Sequence, residues 1–133
     1  MTALEKIVVD LEMAKELQKS GIDFGETAFV WIVDPLFKNS EELSIRGEKF
    51  ASRCKTIPAP TTNEIFCKIP YSICKGDFRY NFSLSHQNGD NGTEYSANFY
   101  RVDCALNPYW SEKSPEQALS QLLLWCKKEG YLK

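Results

Sequence analysis

At 133 residues, with 16 basic and 18 acidic side chains and a formal charge of −2, the chain fits one domain spanning 1–133. Such a domain buries about two-thirds of the surface its unfolded form exposes and needs no disulfide or metal to fold. The near balance of charge, with no block of one sign, excludes the electrostatic footprint of a general nucleic-acid binder.

Cys54, Cys67, Cys74, Cys104 and Cys126 are odd in number and never spaced C-x-x-C. They read as reduced and mostly buried, inert thiols, neither a disulfide framework nor a zinc site. Charged residues recur from Glu5 to Lys19 and exclude a signal-peptide core there, and no apolar run reaches membrane-spanning length. A cytoplasmic location without membrane attachment is therefore expected.

In chain order, Asp10 is placed to cap a helix near 10–20, in which Leu11, Met13, Ala14 and Leu17 share one side and Gly21 ends the run. Residues 4–9 suit either an extension of that helix or a short strand. Phe29-Val30-Trp31-Ile32-Val33, aromatic and β-branched and closed by Asp34-Pro35, reads as a central strand near 28–33 buried on both faces. From Leu36 to Pro60 the apolar residues are scattered, which predicts loop, with room for one short hairpin. Thr61 and Glu64 form a capping box opening a helix near 61–69, ended by Pro70.

The strongest β pattern follows. Phe78, Tyr80, Phe82 and Leu84 alternate with Arg79, Asn81, Ser83 and Ser85, and Tyr95, Ala97 and Phe99 alternate with Ser96, Asn98 and Tyr100. This predicts a hairpin near 77–85/94–102. A two-residue turn at Asn88-Gly89 or at Asn91-Gly92 gives paired residue numbers an odd sum, so the apolar sets face together in either register. The other face then presents Arg79, Asn81, Ser83, Ser96, Asn98 and Tyr100. Leu106-Asn107-Pro108-Tyr109-Trp110 reads as a loop.

The last helix, near 115–129, carries both of its boundary signals. Ser114 is an N-cap, Pro115 suits the first helical position, and Gln117 is spaced to complete a capping box. Ala118, Leu119, Leu122, Leu123, Trp125 and Cys126 form a core stripe, Leu124 falls beside it, and Gly130 ends the helix with Tyr131 folding back. The expected fold class is therefore α+β, a small antiparallel sheet packed by three helices.

Leu11-Glu12-Met13-Ala14-Lys15-Glu16-Leu17 ending at Gly21, the aromatic strand Phe29 to Trp31, Ala59-Pro60-Thr61-x-x-Glu64, and Pro115-x-x-Ala118-Leu119-x-x-Leu122-Leu123-x-Trp125 before Gly130-Tyr131-Leu132 occur in this order. In these pieces the chain resembles a family of small proteins encoded by phages and prophages. The resemblance spans most of the chain and brings no activity with it. The chain departs from the family at 106–110 and at 36–57, where a particular specificity would lie.

Among chemistry-bearing residues, His86 is the candidate acid–base group by type, but no cysteine, serine or carboxylate is held near it by spacing, and it reads as a surface histidine at the hairpin end. Asn88-x-Asp90-x-Gly92-x-Glu94 lacks the ligand order of a calcium loop and reads as a turn. Phosphate-binding, dinucleotide, zinc-protease and serine-hydrolase motifs do not occur. No catalytic residue, metal ligand or cofactor is thus assigned, and a binding function is expected over an enzymatic one.

Trp31 and Trp125 belong to a strand and a helix core, whereas Tyr109 and Trp110 lie outside both, so with Leu124, Arg79, Tyr100 and Arg101 they form the candidate partner-binding set. The expected partner is a protein, with self-association as one form of that, and a nucleic acid is the less expected one. The competing expectation is a small-ligand binder or enzyme, for a nucleotide for example, that uses the polar sheet face as a pocket.

Overall fold

The computed structural model describes residues 8–36, 41–45, 53–90, 92–101 and 104–132, the side chains of 104–111 excepted. The α+β class is as expected, but the single sheet of the sequence reading is two. A three-stranded sheet lies within residues 1–64 and a four-stranded sheet within 65–133, and the chain divides into two compact units there.

In the first unit, α1 (Leu11–Lys19) starts at Asp10, whose carboxylate accepts from the Met13 N–H at 2.8 Å. Its stripe buries Met13, Ala14 and Leu17. Val8 bridges Thr61, and the Val9 N–H donates to Pro60 O, so these two residues are extended rather than helical. Residues 4–7 lie outside the described residues.

β1 (Phe29–Val33) is central, as its apolar run predicts, with β2 (Glu42–Ile45) and β3 (Lys55–Pro58) antiparallel on either side. Two flanking strands thus occupy parts of the stretch read as loop. Burial on both faces holds only for Val30 and Trp31, while Ile32 and Val33 are half-buried. The Trp31 indole N–H donates to Val9 O, so the polar edge of this buried ring is satisfied.

Arg53 ties the start of β3 to the end of β1 by a two-pronged pair with Asp34, at 2.9 and 2.8 Å. The Arg53 guanidinium, with the Leu36 N–H, holds the Asp34 carboxyl below the usual carboxylate range.

α2 (Thr62–Phe66) is shorter than the expected 61–69, but its capping box is complete: Thr61 N–H donates to Glu64 Oε1 at 2.9 Å, and Glu64 N–H to Thr61 Oγ1 at 3.2 Å. After Phe66 the chain leaves the helix through tighter turns, with Lys68 N–H donating to Ile65 O and Ile69 N–H to Phe66 O.

The second unit holds β4 (Ser72–Lys75), β5 (Phe78–Gly89), β6 (Gly92–Arg101) and β7 (Cys104–Glu112), antiparallel in that spatial order, and α3 (Pro115–Lys128). The β5–β6 register pairs Gly89 with Gly92 and Phe82 with Phe99. The turn falls between the two positions proposed from sequence, yet the sum stays odd and the face assignment stands.

α3 packs on β6 and β7, burying Leu119, Leu122, Leu123 and Cys126 completely. Ser114 Oγ accepts from the Gln117 N–H. The returning half of that capping box is not made, for Gln117 Oε1 is buried without a hydrogen-bond partner. The C-terminus closes as expected: Gly130 takes φ +81°, its N–H donates to Lys127 O, and Tyr131 N–H reaches Cys126 O at 2.8 Å.

Candidate binding surface

Strand alternation builds the two faces of the second unit's sheet. On one, Tyr80, Ala97 and Phe99 are buried and Phe82 and Leu84 are half-buried. Phe99 meets Trp125 of α3 at 6.2 Å between ring centroids, and Trp125 meets Tyr131 at 5.4 Å, so this is the face α3 covers. On the other face, Arg79, Asn81 and Tyr100 are exposed and Ser83, Ser96 and Asn98 are half-buried.

Asn81 lies directly across from Tyr100, and Ser83 from Asn98. On the β4 side Ser72 lies across from Asn81 and Cys74 from Arg79, which extends the polar face over a third strand. Tyr100 is 44% exposed although cross-strand neighbours surround it. The arrangement is a broad hydrogen-bonding surface of mostly neutral side chains, with one aromatic ring and one guanidinium.

The candidate set from sequence does not converge on that face. Arg79 and Tyr100 share it. Arg101, one residue beyond Tyr100, turns to the helix side, where its guanidinium sits 3.8 Å from the centre of the Phe78 ring. Leu124 is half-buried on α3. Tyr109 and Trp110 are strand rather than loop residues: Pro108 is tolerated because β7 is an edge strand, and the backbone of Trp110 pairs with Ala97 beside a register shift. Their side chains lie outside the described residues.

Sequence reading missed two features. Cys67 and Cys74 are exposed, correcting the expectation of mostly buried thiols; Cys67 follows a five-residue helix, and Cys74 lies across from Arg79 on β4, a strand to which the sequence reading assigned no element. Cys126 does match that expectation, and burial pushes its thiol up to about 12. The side chain of Cys104 is outside the described residues.

The second missed feature is a pair of exposed aromatic residues next to Phe82, one in ring contact with it and one joined to its backbone. Phe66 packs edge-on to Phe82 at 5.5 Å and stays 49% exposed, and Tyr71, whose carbonyl accepts from the Phe82 N–H, is 85% exposed.

At the hairpin end, His86 is exposed on β5 opposite Tyr95, with ring centroids 6.1 Å apart. Nearby, Thr93 donates to Asn88 Oδ1 at 2.6 Å and Lys113 pairs with Glu94 at 3.3 Å. Among the described residues, no group of three His, Cys, Asp or Glu side chains is placed to hold a metal ion, and no helix is long and apolar enough to cross a membrane. No protein-family model, curated protein or solved structure is similar enough to this chain to match it.

Proposed function

We propose that the protein is a non-catalytic accessory module of phage or prophage type that binds a protein partner through the polar face of β4–β6. The observation that supports this is the exposure of Tyr100 and Arg79 in a field of Ser and Asn side chains on one side of a sheet whose other side α3 covers. Tyr and Arg are enriched among residues that dominate binding energy, and Ser and Asn supply adaptable hydrogen bonds around them, the composition that antibody paratopes also use. A single guanidinium is too little charge to track a nucleic-acid backbone, which favours a protein.

The test compares capture by the tagged wild type with capture by Tyr100→Ala and Arg79→Ala. A protein held stoichiometrically by the wild type should be held about tenfold more weakly by each variant, the loss typical of a strong contact. Capture unchanged in both variants, or lost only in Tyr109→Ala and Trp110→Ala, contradicts the assignment to this face. A second copy of the chain as the captured protein makes the module self-associating. A retained small molecule with no protein would favour the ligand-pocket reading instead.

A further inference from the structure

The first unit contains a cavity that the sheet-face reading does not use. α1 ends at Ser20, Gly21 turns the chain at φ +84°, and residues 22–25 run back beside the last helical turn. Asp23 fixes that return: its Oδ1 accepts from the Gly25 N–H at 2.7 Å, a turn closed by Gly25 at φ +66°. Between this loop, α1 and the end of β3 lies about 300 Å³ of open space, at the lower end of the range for small-ligand pockets.

Its apolar lining comes from Ala14, Leu17, Ile22, Phe24 and Pro58. Ala14 and Leu17 are fully buried, so the cavity reaches the base of the α1 stripe. Among the described residues the polar lining is Gln18 and the exposed Asp23, with no lysine or arginine. A carboxylate accepting one N–H keeps acceptor capacity for a second donor. An apolar wall that includes one aromatic residue, with one carboxylate and one carboxamide, complements an organic cation and disfavours an anion.

We propose that this cavity binds an alkylammonium group, its carbon chain against Leu17, Ile22 and Pro58 and its nitrogen at the Asp23 carboxylate. The group would come from a free amine or from a lysine side chain of a peptide, and the chemistry of recognition is the same for both. The proposal is independent of the sheet face in the second unit.

The experiment titrates the isotope-labelled protein with n-pentylammonium and follows backbone amide shifts. Saturable shifts confined to residues 14–25 and to Ile57 and Ala59, which flank the amide-less Pro58, are expected, with a Kd of about 1 mM, as suits so small a ligand. 1-Pentanol and pentanoate, matched in length, should bind about fivefold more weakly or worse, and Asp23→Asn should weaken the ammonium by about fivefold, the scale of one exposed charge contact. Asn at this position still accepts from the Gly25 N–H, so the loop keeps its turn, and unchanged amide shifts elsewhere check this. Nα-acetyl-lysine methylamide binding more tightly than the free amine identifies a peptide source, and the reverse order a free amine. The proposal fails if pentylammonium gives no saturable shift below about 20 mM, if pentanol binds equally well, or if Asp23→Asn leaves the Kd unchanged.

Discussion

Cys126 and Cys74 share a side-chain chemistry and differ in surroundings, and that difference sets their reactivity. Cys126 is fully buried on α3 with its thiol raised to about 12, whereas Cys67 and Cys74 are exposed. A thiol reagent at neutral pH should therefore modify Cys67 and Cys74 in the folded protein and leave Cys126 untouched until denaturant is added, as peptide mass mapping would show. The raised value also has a thermodynamic consequence. Above the ordinary thiol value the unfolded chain loses this proton while the folded one keeps it, so the contribution of Cys126 is full below pH 8 to 9 and fades as pH climbs toward about 12. Stability measured against pH should fall less steeply over that range in Cys126→Ala than in the wild type.

Asp34 carries the opposite sign. Its carboxyl is held low by Arg53, so the contribution of this pair is present above the ordinary carboxylate value and is lost as pH falls through the depressed one. The carbon shift of the Asp34 carboxyl, followed against pH, should show a midpoint that returns to the usual range in Arg53→Gln. The Arg53 side chain is largely open to solvent and Asp34 is half-buried, so screening on the arginine side leaves the effect of the pair more with local order at the β1 end than with global stability.

At the scale of elements, legibility in the sequence follows how locally each element is determined. α1 and α3 carry their own caps, stripes and stop glycines, and the structure places Asp10, Ser114 and Gly130 in those roles. β5 and β6 are long enough for strict alternation to fix both faces even with the turn misplaced. β2 and β3 have four residues each, with Ser44 and Ile57 as their buried members, and they are strands because β1 pairs with them from a distance. No local pattern encodes that. β7 was obscured by Asn107-Pro108, turn-like residues that an edge strand tolerates. Of the candidate site, Arg79 and Tyr100 were readable from alternation, whereas Arg101 was assigned by proximity in sequence and a one-residue step turned it to the other face.

The elements also carry stability predictions. Ser114→Ala removes the acceptor for Gln117 N–H and should cost about 1 kcal/mol by chemical denaturation. Leu122→Ala, at a position with no solvent exposure, should cost about 2–5 kcal/mol. A Leu122→Ala loss no larger than that of Ser114→Ala would mean that α3 is not pressed on β6 and β7.

For the whole molecule, two sheets in two compact units give the chain two surfaces of different chemistry. The first unit offers a small cavity with one carboxylate, and the second a sheet face rich in neutral hydrogen-bonding groups. The near-zero net charge belongs to the same picture, since a Ser/Asn surface with a single guanidinium gains specificity from geometry more than from long-range attraction. Binding to a partner should therefore vary little between about 50 mM and 300 mM salt, in contrast to the steep loss a nucleic-acid complex would show.

The account rests most heavily on the two faces of β6, so the decisive comparison is between Ala97→Arg and Asn98→Arg, adjacent residues on opposite sides of the sheet, each measured for thermal unfolding and for capture of the partner. Ala97 is fully buried and Asn98 is half-exposed. Ala97→Arg should abolish cooperative unfolding, because a charge would be forced against α3, whereas Asn98→Arg should keep the wild-type midpoint within about 3 °C and lose the partner. A folded Asn98→Arg that binds the partner as the wild type does, or an Asn98→Arg as unstable as Ala97→Arg, would contradict it.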